Sequence, residues 1–282
     1  LILSAQEGFV GQKQPGDMLE GAAIGVVEQS DDPALPVGTI VRSNFGWRSH
    51  FAAAPELLSP IASASVPLGW HLGLLGLTGI TAWVGINQVL QPKAGEVILV
   101  SGGSGAVGSL AVQLAKLNGA RVLATCGSDE KAARLRQDHG VDAVMNYRTG
   151  SLADFLAGEA PEGLDCYFDN VGGEMLDNVL GFMKPHGRVA LCGAMSQYET
   201  ANYRTGPRNF FAVIEKSLRL QGFNAFLVPG DESAGIVKQL EALALAGSIK
   251  VLETVVQGLG NVPKAFEGLF SGEHQGKVVI EI

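Results

Sequence analysis

The amino-acid sequence predicts an α/β protein in which a doubly wound parallel sheet is joined to a β-rich unit. Three observations carry that expectation. From about residue 76 onward, strand-like apolar runs alternate with helical stretches and short glycine turns, the pattern of successive βαβ units. Within it, Glu96–Val100 is a continuous, mostly apolar run, as expected of a strand covered on both faces. Before residue 76 the chain reads as short β-like runs separated by proline and aspartate, a barrel-like region without a repeat.

In chain order, Ala22–Glu28 and Thr39–Arg42 read as strands, and Trp47–Ala54 as a further one. Thr78–Leu90 reads as a helix closed by Pro92 and Gly95. The Glu96–Val100 strand follows, then an amphipathic helix over Ala106–Asn118 stopped by Gly119. Arg121–Thr125, Val144–Tyr147, Cys166–Phe168 and Arg188–Leu191 supply further strands, with helices over Asp129–Gln137 and Met175–Met183 between them. After a helix over Ala234–Ala246, strands at Val251–Val256 and Lys277–Ile282 flank a short helix over Val262–Ser271, a tail read as returning to the first unit.

Bulk properties exclude several classes. A chain of 282 residues suggests about two domains. With 46% hydrophobic and 17% charged residues it suits a packed soluble globule. The net charge of −8, with no cluster of Lys or Arg, argues against nucleic-acid binding. No apolar run approaches the roughly 20 residues of a membrane span. Cys126, Cys166 and Cys192 are odd in number and widely spaced, which argues against a disulfide framework and for a reducing, cytoplasmic setting. The chain opens on Leu1 and enters strand-rich sequence almost at once, so a preceding segment is expected to be missing.

The most informative stretch is Ser101–Gly108, SGGSGAVG, which follows the buried strand and opens a helix. Glycines at 102, 105 and 108 suit a tight strand-to-helix turn where a side chain would obstruct a pyrophosphate or the helix packing. The helix N-terminus offers free N–H groups and a positive dipole to phosphates. Strand–helix turns use glycine for purely structural reasons too, but the setting favours a Rossmann dinucleotide site. An NAD site usually carries an acidic residue at the end of the second strand. Here that strand ends Ala124-Thr125-Cys126-Gly127-Ser128, and Asp129 and Glu130 come late enough to serve as helix caps. Lys131, with Ser128 or Arg134 as helpers, is near enough to meet a 2′-phosphate, which favours NADP(H); the bland alternative is a solvated lysine paired with nearby acids.

These residues resemble a known family. GLTGITAW at 76–83, SGGSGAVGS at 101–109 and GSDEKAARL at 127–135 resemble the medium-chain dehydrogenase/reductase superfamily. Asn146-Tyr147, YFDNVGG at 167–173, CGAMSQY at 192–198, LQGF at 220–223 and GKVV at 276–279 are similar to its zinc-independent branch of prostaglandin, alkenal double-bond and curcumin reductases. The resemblance implies a GroES-like catalytic domain, N-terminally truncated here, formed by residues 1–76 and 252–282, and a Rossmann domain formed by 77–251. It implies NADPH held by Gly105, Ala106, Val107, Gly108, Lys131, Tyr147, Asn170, Cys192, Gly193, Ala194, Tyr198, Phe223, Asn224 and Ala225, with Thr81 near the nicotinamide. It also implies a homodimer formed through the nucleotide domains. The family's first 45 or so residues, with a pocket tyrosine, have no counterpart; a second tyrosine of animal members stands as Glu215, and an asparagine as His274.

No metal site is expected, because His50, His71, His139, His186 and His274 are scattered and all three cysteines fall in the nucleotide half. Without a Lewis acid, hydride transfer suits an acceptor that is already polarised, such as a small enone or enal. Tyr198 is the candidate hydroxyl near the nicotinamide ribose, either as proton donor or as a cofactor wall. Asn170 is a ligand contact or a turn cap, Asp169 orders the local turn, and Cys192 is a buried small residue with no base beside it. Two other functions fit the same residues: a quinone reductase, and a non-catalytic NADP-binding protein.

Overall fold

A computed structural model describes residues 16–61, 66–197 and 206–282. The first region carries three short strands, β1 (Ala23–Val26), β2 (Ile40–Ser43) and β3 (Ser59–Pro60), paired antiparallel in that order. Six parallel strands follow: β4 (Val97–Val100), β5 (Arg121–Cys126), β6 (Ala143–Asn146), β7 (Leu164–Asp169), β8 (Met183–Leu191) and β9 (Arg219–Gly222). Their order in the sheet is β6-β5-β4-β7-β8-β9. The chain enters at the centre, winds out to β6 and crosses back to β7. The reversal therefore lies between β4 and β7, and a crevice opens there beyond the strand ends, where open α/β sheets bind ligands. Val100 is level with Ala124 on one side and Phe168 on the other, so three strands end together beneath that crevice.

The continuous apolar runs are explained by two cores, one on each face. Ile98, Val100, Val122, Ala124, Cys166, Phe168 and Ala190 point into one, and Leu99, Leu123, Tyr167 and Val189 into the other. The first core is completed by helices α1 (Leu77–Trp83), α2 (Ala106–Leu117) and α7 (Gly230–Leu245), through residues such as Ile80, Leu110 and Leu240. The second is completed by α4 (Leu152–Glu159), α5 (Gly173–Phe182) and α6 (Phe210–Glu215), through Leu156, Val179 and Ala212. Each fully buried aliphatic side chain here contributes roughly 1.5–3 kcal/mol. Helix α3 (Asp129–His139) links β5 to β6, and α8 (Val262–Ser271) lies between the tail strands β10 (Glu253–Gln257) and β11 (Lys277–Glu281).

Two expectations are corrected. Trp47–Ala54 forms no strand: Trp47 adopts φ +68°, a left-handed backbone that breaks an extended run, and Arg48 folds back to donate to the Gly46 and Leu19 carbonyls. The helix expected over Thr78–Leu90 is α-helical only to Trp83 and continues as π-helical turns over Val84–Leu90. Gly85 lies in that stretch where the backbone meets the rings of Phe168 and Phe223, and a Cβ there would collide with Phe168. The tail strands β10 and β11 pair in parallel with each other. The tail meets the first region through side-chain contacts that include Trp47 edge-on to Phe266 of α8 at 5.6 Å and Glu253 of β10 against Gly69.

Candidate active site

The floor of the crevice is the turn from β4 into α2. Gly102 has φ +63°, and its carbonyl occupies the place a Cβ on Gly108 would take. A Cβ on Gly103 would lie 2.9 Å from that of Ala124. Thr125, at the end of β5, fixes the turn by accepting from Gly103 N at its carbonyl (2.8 Å) and from Gly102 N at its hydroxyl (3.3 Å). Gly105 differs from these neighbours. Its φ is −76°, and a Cβ there would meet only the Gly102 carbonyl, at 3.3 Å. Gly105 is the N-cap residue of α2 and supplies no side-chain cap, so the first turn, with Ala106, Val107 and Gly108, presents bare N–H groups above the strand ends. Gly276 of the tail pairs with Gly105 and donates to the Ser104 carbonyl at 2.9 Å; its φ of +63° lets the tail pass there.

Across the crevice, the two motifs around residues 170 and 194 lie side by side. Cys192 N and Gly193 N donate to the Asp169 carbonyl (2.9 and 3.0 Å), Met195 N to Asn170 (3.2 Å) and Ser196 N to Val171 (3.1 Å). The pairing of β7 with β8 thus continues past the strand ends. Gly172, at φ +67°, packs on Ala194. Beneath them lies a buried polar knot. Asp169 is 0% exposed, and its Oδ1 accepts from Tyr167 Oη (2.6 Å), Ser101 Oγ (3.2 Å) and the backbone N–H groups of Val171 and Gly172 (both 2.9 Å). Burial pushes the Asp169 carboxyl above its usual range, against the pull of those donors. Burial, then the nearby Asp169 carboxyl, pushes the Tyr167 phenol well above its ordinary value. Asp169 thereby orders the turn as expected. Asn170 is tied to the same knot: Ser101 Oγ accepts from its N–H (3.0 Å), and its Nδ2 donates to the Ser101 carbonyl (2.7 Å). The Cys192 thiol is pushed up to about 12, by burial first and by Asp169 second, and is no nucleophile at neutral pH.

At the other end of the crevice stand Tyr147 and Lys131. A Cβ on Gly127 would lie 2.9 Å from the Tyr147 hydroxyl, so the phenol leans over the end of β5. The expected caps are corrected: Ser128 caps α3 by accepting from Lys131 N (3.3 Å), while Asp129 accepts from Asn146 (3.0 Å) and Glu130 pairs with Arg134 (3.2 Å). Lys131 is not a solvated lysine paired with acids. It is 7% exposed, and its ammonium donates to the carbonyls of Gly272 and, at 2.7 Å, His274. Burial holds its pKa below the usual lysine value.

The remaining candidates take supporting positions. Thr81 Oγ1 donates back to the Leu77 carbonyl at 2.7 Å, within α1. Phe223 stacks edge-on against Phe168 at 6.1 Å. Asn224 Oδ1 accepts from Phe226 N at 3.0 Å, and Ala225 is buried. Glu215 ends α6, exposed. His274 Nε2 donates to the Ala265 carbonyl at 3.0 Å, so its ring packs on α8. Tyr198 lies outside the described residues. Among the described residues no three His, Cys, Asp or Glu side chains gather as metal ligands, and no helix is long and apolar enough to cross a membrane. Sequence reasoning missed Thr125, the Ser101–Tyr167 part of the knot, and the tail loop that holds Lys131. The last joins residues more than 140 positions apart and leaves no local signal.

Residues 106–242 match the family model described as zinc-binding dehydrogenase, and residues 2–61 match one described as N-terminal domain of oxidoreductase. The chain is 41% identical over 271 residues to prostaglandin reductase 1 of Bos taurus, covering 94% of this chain and 82% of that one. It belongs to the zinc-independent prostaglandin and alkenal reductase branch of the medium-chain dehydrogenase/reductases. Within this branch it is also 38% identical over 279 residues to the NADP(+)-dependent 2-alkenal reductase of Nicotiana tabacum, covering 97% of this chain and 80% of that one. Its fold superposes on CurA from Vibrio vulnificus, solved also in complex with NADPH, with a TM-score of 0.91 at 30% identity, over 99% of this chain and 84% of that one. These alkenal reductase relatives bear out the α/β fold class, with a six-stranded parallel nucleotide sheet, and the oxidoreductase assignment.

Proposed function

We propose that this chain is an NADPH-dependent reductase of the carbon–carbon double bond of small α,β-unsaturated ketones and aldehydes, working without a metal. The observation that carries this reading is Gly105. The turn needs Gly102 and Gly108 for its own folding, whereas a Cβ on Gly105 would meet only the Gly102 carbonyl, at 3.3 Å, so folding alone demands a bare backbone there less than a pyrophosphate pressed against it would. The bare N–H groups of Ala106, Val107 and Gly108 suit the phosphates, and Tyr147 and Lys131 suit the adenosine end. Asn170, Cys192, Gly193, Ala194, Phe223, Asn224 and Ala225 line the nicotinamide side, with Thr81 beneath it. The prostaglandin reductase and 2-alkenal reductase relatives support the same reading.

When bound, NADPH supplies the hydride. The chain's part is to hold the substrate's β-carbon in line and keep water out of the transfer path. Charge then builds on the carbonyl oxygen, where a hydrogen-bond donor stabilises it. The α-carbon takes its proton from a hydroxyl or from water, and Tyr198 is the hydroxyl we nominate. The Asp169 knot contributes indirectly by holding Asn170 and the 192–196 segment in register. We read residues 1–76 and 252–282 as the catalytic unit and 77–251 as the nucleotide unit. We also read the working form as a cytoplasmic homodimer joined through the nucleotide sheets. β9 is the edge strand of that sheet, and Phe211 and Ile214 on α6 are 71% and 68% exposed.

The test is loss of NADPH absorbance with a panel of enones, enals and quinones. Enone turnover with NADPH, and far less with NADH, is expected. Quinone turnover alone would move the chain to the quinone reductases, and tight NADPH binding with no turnover would make it a binding protein. A Tyr198→Phe variant that keeps full kcat would remove Tyr198 as proton donor. Elution as a monomer in size-exclusion chromatography with light scattering would end the dimer reading.

A further inference from the structure

Lys131 is not alone at the adenosine end. Arg148, the residue after Tyr147, donates its Nη2 to the Ser271 carbonyl at 2.7 Å, and its charge bears on Lys131. Two like charges thus converge on neighbouring carbonyls of one tail loop, Ser271 for Arg148 and Gly272 with His274 for Lys131. The loop is built for this. Gly272 ends α8 in the left-handed conformation, φ +73°, and a Cβ there would lie 3.5 Å from Arg148 Nη2. His274 folds its ring onto α8, where a Cβ on Gly268 would collide with it.

Glu130 pairs with Arg134 and bears on Lys131 only through space, and Asp129 accepts from Asn146, so the side chains of Lys131 and Arg148 have only carbonyl dipoles as hydrogen-bond acceptors among the described residues. Carbonyls orient two cations without neutralising them. Such a pair is prepared for a group carrying about two negative charges, the charge of a phosphate monoester.

We propose that Arg148 is a specificity-determining residue for the dinucleotide: with Lys131 it forms a two-cation clamp for the adenosine 2′-phosphate, and the Ser271–Gln275 loop is the wall that holds both cations ready. This rests on the NADP(H) reading above. Arg148 is exposed, so its share is modest, about five- to ten-fold in affinity for the 2′-phosphorylated ligand.

The test uses the full chain and two probes, adenosine 2′,5′-bisphosphate and 5′-AMP, titrated calorimetrically into wild type, Arg148→Ala and Arg148→Lys, with a thermal melt for each. Wild type is expected to prefer the bisphosphate. Arg148→Ala should lose about five- to ten-fold for it while holding 5′-AMP unchanged, Arg148→Lys should recover most of the loss, and added salt should close the gap. If Arg148→Ala binds both probes as wild type does, or loses both equally, Arg148 is no specificity determinant and the proposal is overturned while the NADP(H) reading stands. If wild type itself shows no preference for the bisphosphate, the NADP(H) reading fails and takes this inference with it.

Discussion

The two ends of the crevice are made in different ways. The end over β4 and β7 is made of backbone: glycine turns, a helix N-terminus and a carboxylate buried under four donors. The end over β5 and β6 is made of long side chains, Tyr147, Lys131 and Arg148, steadied by the carbonyls of a distant loop. Backbone geometry is close to all-or-none, because a Cβ either fits or collides. Side-chain charge is graded. On the reading proposed above, the first end decides whether a dinucleotide can lie across the sheet, and the second decides which one.

Substitutions at the first end should therefore be the more damaging. Gly108→Ala forces a methyl into the Gly102 carbonyl and should cost about 3 kcal/mol of stability, read by urea denaturation. Asp169→Ala strands the Val171 and Gly172 N–H groups and leaves the Tyr167 hydroxyl with Ser101 Oγ as its remaining acceptor, and should cost a similar amount, on the order of 2–3 kcal/mol. The isosteric Asp169→Asn sharpens the point through pH. Burial raises the folded-state pKa of Asp169 above its unfolded value, so between those values the folded state keeps a proton that the unfolded state has released. Stability from this group is thus full below about pH 4 and falls as pH rises toward the folded value. Asp169→Asn should flatten that part of the stability–pH curve, and an unchanged slope would mean another group carries it.

At the second end the effects should be smaller and selective. Lys131→Ala should narrow the preference for NADPH over NADH by about ten-fold in kcat/KM, with kcat on NADH little changed. An equal loss with both cofactors would mean that Lys131 matters for joining the tail loop to α3, not for reading the phosphate.

The same division governs what could be read from sequence. Five strands of the six-stranded sheet were legible because their apolar runs are covered on both faces and glycine marks turns such as Val100–Gly108, whereas β9, an edge strand that is mostly exposed, carries no such run and was not read. The YFDNVGG and CGAMS stretches were legible as motifs, but their mutual packing rests on β7 and β8 being neighbours, a property of topology. The strand expected at Trp47–Ala54 failed because one left-handed backbone angle at Trp47 outweighs local β-propensity. Lys131 was found as a candidate while its surroundings were not, since the carbonyls that hold it come from the far end of the chain.

The most direct test of the account is Gly105→Ala, followed by thermal unfolding and by NADPH titration. The added methyl meets only the Gly102 carbonyl, at 3.3 Å, so stability should change by less than about 1 kcal/mol. NADPH affinity should nevertheless fall by about ten-fold or more, because that methyl stands where the pyrophosphate must approach the backbone. A variant that melts like wild type and binds NADPH equally well would contradict the account, and the crevice over β4 and β7 would not be where the dinucleotide lies.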